Sequence, residues 1–127
     1  MKFEHFALNV PEPIALAAWY VEHCDMKIVR QMTVSPFTHF LADATGRVIM
    51  EVYHNPAAPV PDYALQDPLV YHCAFAVADV DAVKATLLAA GASEVSDSVL
   101  DDGSRLVMLR DPWQIPLQLV RRGTPLL

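Results

Sequence analysis

Positive charge is scarce in this chain. Nine Lys and Arg stand against fifteen Asp and Glu, giving a net charge of −6 and a pI near 5.1. With no basic stripe, a nucleic-acid partner is excluded, because binding a phosphate backbone needs clustered cations. Cysteine is almost missing too. Cys24 and Cys73 cannot build a disulfide framework and read as two reduced thiols, which suits the cytoplasm. No apolar run approaches the ~20 residues of a membrane span, so no membrane partner is expected. The opening MKFEHFALNV lacks the basic start and long apolar stretch of a secretory signal. What the chain does have is apolar mass. It is 54% hydrophobic and 19% charged, which argues for a packed core and against disorder. At 127 residues it suits one domain or two small modules.

An internal repeat is the most informative feature. HFALNVPEPIALAAWYVEHC begins at His5, and HCAFAVADVDAVKATLLAAG begins at His72. Both open on His, run through an alternating apolar strand, cross a turn with Pro or Asp, and enter a helix. His5 and His72 are 67 residues apart (72 − 5), and so are Glu51 and Gln118 (118 − 51). One ungapped shift therefore aligns both ends of the unit. A period of half the chain means a duplicated module rather than a solenoid.

Each half reads as strand, helix and three strands, a βαβββ unit of an α+β protein. In the first half the strands fall at about 3–9, 27–33, 37–42 and 47–54, with a helix over about 14–23 after Pro11 and Pro13. Asp43-Ala44-Thr45-Gly46 makes the last hairpin turn. In the second half the strands fall at about 70–77, 94–99, 105–110 and 115–121. Asp79 or Asp81 caps a helix over about 80–90, and Gly91 stops it. The first module is placed at 1–54 and the second at 69–122. The segment 55–68, with Pro56, Pro59, Pro61 and Pro68, is read as a linker, and 123–127 as a tail.

Strand alternation then sorts the side chains. His5, Ala7 and Asn9 share one face of the first strand, and His72, Ala74 and Ala76 repeat the pattern. Glu51 lies with Ile49 and Tyr53; Gln118 lies with Pro116 and Val120. Each module thus offers one coordinating side chain on its first strand and one on its last. A carboxylate within an apolar strand is costly when buried without a partner. A divalent cation held by His5, Glu51 and His72, with Gln118 as a possible fourth ligand, would satisfy it. Such a set suits Fe, Mn, Ni, Co or Zn. The same residues also fit pocket groups without a metal, or polar groups incidental to the core.

This arrangement resembles the vicinal-oxygen-chelate superfamily, the glyoxalase, bleomycin-resistance and dioxygenase proteins, over about residues 2–121. The resemblance implies two βαβββ modules forming a cup-shaped mixed sheet around a divalent metal, and a homodimer. It implies ligand roles for His5, His72 and Glu51. Gln118 stands where glyoxalase I and extradiol dioxygenases usually carry Glu, and Gln takes up no proton at neutral pH, so base work passes to Glu51. The family's turn before the last strand survives as Asp111-Pro112-Trp113-Gln114, without its glycine. Two His, one Glu and one Gln also resemble methylmalonyl-CoA epimerase, but no basic patch is present for a CoA phosphate.

The function implied is a glyoxalase-like lyase or isomerase acting on a small oxygenated substrate. The alternatives are an Fe(II) extradiol dioxygenase or a non-catalytic drug binder. Tyr53, His39 and Arg105 are the candidate substrate contacts: Tyr53 from the Glu51 face, His39 at the pocket mouth or on the surface, and Arg105 facing an anion or solvent. His23 suits a helix C-terminus, and Met26, Met32, Met50 and Met108 read as core filler.

Overall fold

The computed structural model describes residues 1–126. The chain divides into two compact units, one ending at Pro61 and the other beginning at Asp62. The first contains β1 (Phe6–Asn9), α1 (Pro13–His23), β2 (Lys27–Gln31), β3 (His39–Ala42) and β4 (Val48–Tyr53). The second contains a 3₁₀ turn (Tyr63–Leu65), then β5 (Cys73–Ala76), α2 (Val80–Ala89), β6 (Ser93–Val99), β7 (Arg105–Arg110) and β8 (Pro116–Arg121).

The two sheets have one topology. The orders are β1-β4-β3-β2 and β5-β8-β7-β6. First and last strands of each module pair in parallel, and the remaining pairs are antiparallel. The register also repeats. Ala7 lies opposite Glu51, and Ala74 opposite Gln118. These are the alignments the 67-residue shift demands.

Pro13 opens α1, where its missing N–H costs nothing. The helix buries Leu16, Ala17, Trp19 and Tyr20 over a sheet face that carries the buried Leu41, Met50 and Val52. In α2 the Asp79 side chain accepts the Ala82 N–H as an N-cap. This helix buries Val80 and Leu87, and its sheet buries Val107, Leu109, Leu117 and Leu119. The strands β2 and β6 form outer edges and are exposed along their whole length. Met26, Met50 and Met108 are buried as expected. Met32 is 43% exposed, because β2 ends at Gln31 and leaves it in the following loop.

Both first strands start later than the sequence pattern suggests, so His5 and His72 each sit one residue ahead of the ladder. Before β5 the chain is held in a turn: Asp67 accepts the Leu69 N–H on its side chain and the Val70 N–H on its carbonyl. The segment 55–65 is likewise anchored. The Asn9 side chain donates to the carbonyls of Asn55 and Ala58 and accepts the Asn55 N–H. In the second unit the Arg110 guanidinium donates to the carbonyls of Tyr63 and Gln66.

Charge ties α2 to its sheet. Lys84 reaches Asp97 at 2.8 Å and also pairs with Glu94, while Arg105 pairs with Asp97 and Asp81 at 2.8 and 2.9 Å. Hydrogen bonds from Arg105, then Lys84, hold the Asp97 carboxyl well below the usual carboxylate range. A depressed folded-state pKa contributes stability above the unfolded value, near pH 4, and that contribution is lost as pH falls further. Thermal melts across pH should therefore show Asp97→Asn less stable than the parent at pH 7. The gap should narrow only below about pH 4; a gap constant with pH would remove the carboxylate from the ledger of acid sensitivity.

Candidate metal centre

The sheet face turned away from α1 carries the polar set of the first module. Glu51 is flanked by its cross-strand neighbours Ala7 on β1 and Phe40 on β3. His5, two residues before Ala7, projects to the same side. Its Nε2 lies 3.1 Å from a Glu51 carboxylate oxygen, and its ring meets Phe40 edge-on at 5.4 Å. His5 and Glu51 are both partly accessible, with side chains 26% and 19% exposed, so the pair can be reached from solvent. Tyr53 pairs with Asn9 further along the same face.

The other nitrogen of His5 is a buried polar atom. Nδ1 lies 3.1 Å from a Glu4 oxygen, yet the two are not aligned as a hydrogen bond, and Nδ1 counts as unsatisfied. His5 is thus fixed through Nε2 and ring packing.

The donor pair fits a metal. Imidazole nitrogen and carboxylate oxygen are ligand types that divalent transition ions accept, and at 3.1 Å the two atoms are close enough to be held by one ion. Gln118 and Ala74 pair on the corresponding face of the second module, with Met108 as the other neighbour of Gln118. His72 precedes Ala74 by two residues and is exposed, its Nδ1 hydrogen-bonded to the Pro68 carbonyl at 2.8 Å. That bond leaves Nε2 as the free donor and orients the ring, as bonds to a ligand's other nitrogen do in metal sites. Among the described residues, no group of three or more His, Cys, Asp and Glu gathers as a ready-made cage.

Two expected substrate contacts lie elsewhere. His39 pairs with Val52, on the face toward α1, and is 4% exposed. It is a core residue whose Nδ1 is 2.7 Å from the Phe37 carbonyl, neither a surface imidazole nor on the Glu51 face. Its neighbour Phe40 occupies the place beside Glu51. A register shift between Leu41 and Ala42 breaks the simple alternation that would assign these faces from sequence. Arg105 faces the α2 side of its sheet, opposite Gln118, and is taken up by Asp97 and Asp81. Phe40 and Glu4 are the contacts of His5 that alternation alone does not reveal.

Sequence and structure comparisons agree with this architecture. The family model for the glyoxalase/bleomycin resistance protein/dioxygenase superfamily matches residues 2–119. The chain belongs to that superfamily. No curated protein matches its sequence significantly. Among solved structures, the fold is similar to a glyoxalase family protein from Enterococcus faecalis (24% identity, TM-score 0.67, covering 94% of this chain and 97% of that one). It is also similar to TnmS3, an antibiotic-binding protein from Streptomyces sp. CB03234 (17%, 0.72, 96% and 96%). A third is the trypanothione-dependent glyoxalase I of Leishmania major (18%, 0.72, 95% and 86%). At these identities the likeness establishes the fold of this superfamily member.

His5 and His39 should separate cleanly in denaturation experiments. His39→Ala should cost about 2 kcal/mol or more, from a core cavity and an orphaned carbonyl, in urea unfolding. His5→Ala, at a partly open site, should cost less than about 1 kcal/mol. Equal losses would contradict the face assignment.

Proposed function

We propose that the protein is a divalent-metal-dependent lyase or isomerase of glyoxalase type acting on a small oxygenated molecule. The observation that carries this is the His5–Glu51 pair, 3.1 Å apart on an accessible sheet face. A second imidazole and an amide, His72 and Gln118, occupy the equivalent places of the second module. His5, Glu51, His72 and Gln118 would hold the ion, which when bound would supply positive charge to stabilise an oxyanion on the substrate.

The chain's own groups divide the remaining work. Glu51 is the acceptor for a proton leaving carbon, since Gln118 has no basic oxygen at neutral pH. His5 Nε2, which lies 3.1 Å from the Glu51 carboxylate, would turn its lone pair to the ion beside that carboxylate. The Tyr53 hydroxyl has no partner among the described residues and shares the Glu51 face, so it is free to donate to a substrate oxygen. The apolar neighbours Phe40 and Ala7 flank the carboxylate on the sheet. The same reading places the protein in the cytoplasm, where Cys24 and Cys73 stay outside any disulfide, and makes it a homodimer.

Two measurements test this. Elemental analysis and metal titration should show one divalent ion per site, with affinity lowered at least about tenfold in His5→Ala or His72→Ala. With an α-hydroxycarbonyl or thiohemiacetal substrate, exchange of the carbon-bound proton with deuterated solvent should stop on chelation and return with metal. Glu51→Gln should slow it by about a hundredfold or more. Substrate binding without exchange, in a protein whose histidine variants behave as the parent, would replace the enzyme with a binder such as the antibiotic-binding relative. Oxygen uptake with a catechol would replace it with a dioxygenase.

A further inference from the structure

The two ring nitrogens of His5 face two different carboxylates. Nε2 lies 3.1 Å from Glu51, and Nδ1 lies 3.1 Å from Glu4. Nδ1 is a buried atom without a hydrogen-bond partner. The Glu4 side chain is 80% exposed, and its one ion-pair contact among the described residues is this imidazole. Neighbouring side chains on a regular strand point to opposite faces, so residues 4 and 5 would not ordinarily meet. β1 begins only at Phe6, which leaves Glu4 outside the ladder and able to fold back along the ring edge.

The second imidazole is served differently. The 67-residue shift puts Tyr71 where the first module has Glu4 (71 − 4). Tyr71 turns to Tyr63, ring against ring at 6.0 Å, and His72 Nδ1 meets the Pro68 carbonyl instead. A carbonyl only accepts, so that bond puts the proton of His72 on Nδ1 and leaves the Nε2 lone pair open. In His5 the same proton position gives Nδ1–H one acceptor close by, Glu4. With the proton elsewhere, lone pairs would face one another across 3.1 Å. An enclosed N–H with no acceptor is penalised, and the exposed Glu4 side chain has the room to rotate into line. A carboxylate on one imidazole nitrogen also makes the opposite nitrogen a more basic ligand.

We propose that Glu4 is a positioning residue for His5: its carboxylate accepts the Nδ1 proton, fixes the tautomer and keeps the Nε2 lone pair turned to the Glu51 side. This rests on the reading of His5 and Glu51 as ion ligands. It adds a carboxylate that acts through the imidazole without touching the ion. The two modules then hold their imidazoles unequally, one through a charged acceptor and one through a neutral carbonyl, and His5 is the stronger donor of the two.

Zn(II) and Co(II), each titrated into the full chain, test this. In the Co(II)-loaded protein a ligating imidazole shows its remaining N–H as a separate, strongly shifted proton signal; that of His5 is assigned by its loss in His5→Ala. Glu4→Ala should speed solvent exchange of the His5 N–H, and weaken Zn(II) binding, by about tenfold each. The His72 signal should stay as in the parent. Glu4→Gln, which keeps an acceptor oxygen, should restore slow exchange and part of the affinity. An unchanged His5 N–H in Glu4→Ala, with Zn(II) held as tightly as by the parent, would overturn the proposal and leave the ion reading intact. So would a Glu4→Gln variant that matches Glu4→Ala, with both regaining parent affinity at high salt, because Glu4 would then act only as a charge through solvent. Equal Zn(II) affinity in the parent and His5→Ala would overturn the ion reading itself, and this inference with it.

Discussion

Parallel pairing between the first and last strand of each module is the constraint on which the rest depends. Residues nearly as far apart as a module is long become neighbours only through that ladder. In the first module it sets Ala7 against Glu51, and so brings His5 within reach of the carboxylate. In the second it sets Ala74 against Gln118. A parallel pair cannot be joined by a tight turn, and here the connection runs through a helix and two strands, with α1 and α2 each covering one sheet face and leaving the other for polar groups. Because the side-chain period is two, a slip of one residue would carry His5, Glu51 and Tyr53 to the helix side and bring Met50 and Val52 out. Core and site are thus specified by the same register.

The two modules have diverged on their open faces more than in their cores. The first has an imidazole against a carboxylate, with an aromatic ring packed on the imidazole. The second has an amide beside small alanines, and an apolar recess along Ala74, Ala76 and Val120. On the helix side the pattern is nearly one of exchange in kind: apolar residues in the sheet against apolar residues in the helix. The second module adds the Asp81, Lys84, Asp97 and Arg105 network to this. Divergence greater on the accessible face than in the core is what one scaffold hosting different chemistries would show.

The repeat made the architecture legible from sequence, since a single shift aligned His5 with His72 and Glu51 with Gln118, and the strand registers obey that shift. The faces of β1, β4, β5 and β8 followed from alternation, because these strands are regular. β3 did not yield to the same reasoning. Its irregular pairing puts Phe40, and not His39, beside Glu51, and nothing in a local pattern reports a bulge. Arg105 failed for a different reason. Its position on a strand was plain, but its partners Asp81 and Asp97 come from a helix and a neighbouring strand, and ion pairs of that kind are fixed by tertiary packing. The starts of β1 and β5 were overextended because apolar residues such as Phe3 and Val70 continue the alternation into chain that has no ladder partner.

The turn before β8 shows what the missing glycine entails. Gln114 adopts a positive φ of 70°, a conformation that glycine takes freely and other residues only at a cost. It is held there by its N–H to the Asp111 carbonyl, while the fully buried Asp111 side chain receives the N–H groups of Trp113 and Ile115.

Asn9 grips the chain as far as Ala58, and Arg110 grips it again from Tyr63, with Asp62 already capping the Tyr63 turn. Between these holds lie Pro59, Val60 and Pro61, and the two proline rings freeze two of their six backbone torsions. The junction is therefore a stub rather than a string. Its reach is about 10 Å at full extension, and its two prolines leave the unfolded chain little freedom there to lose.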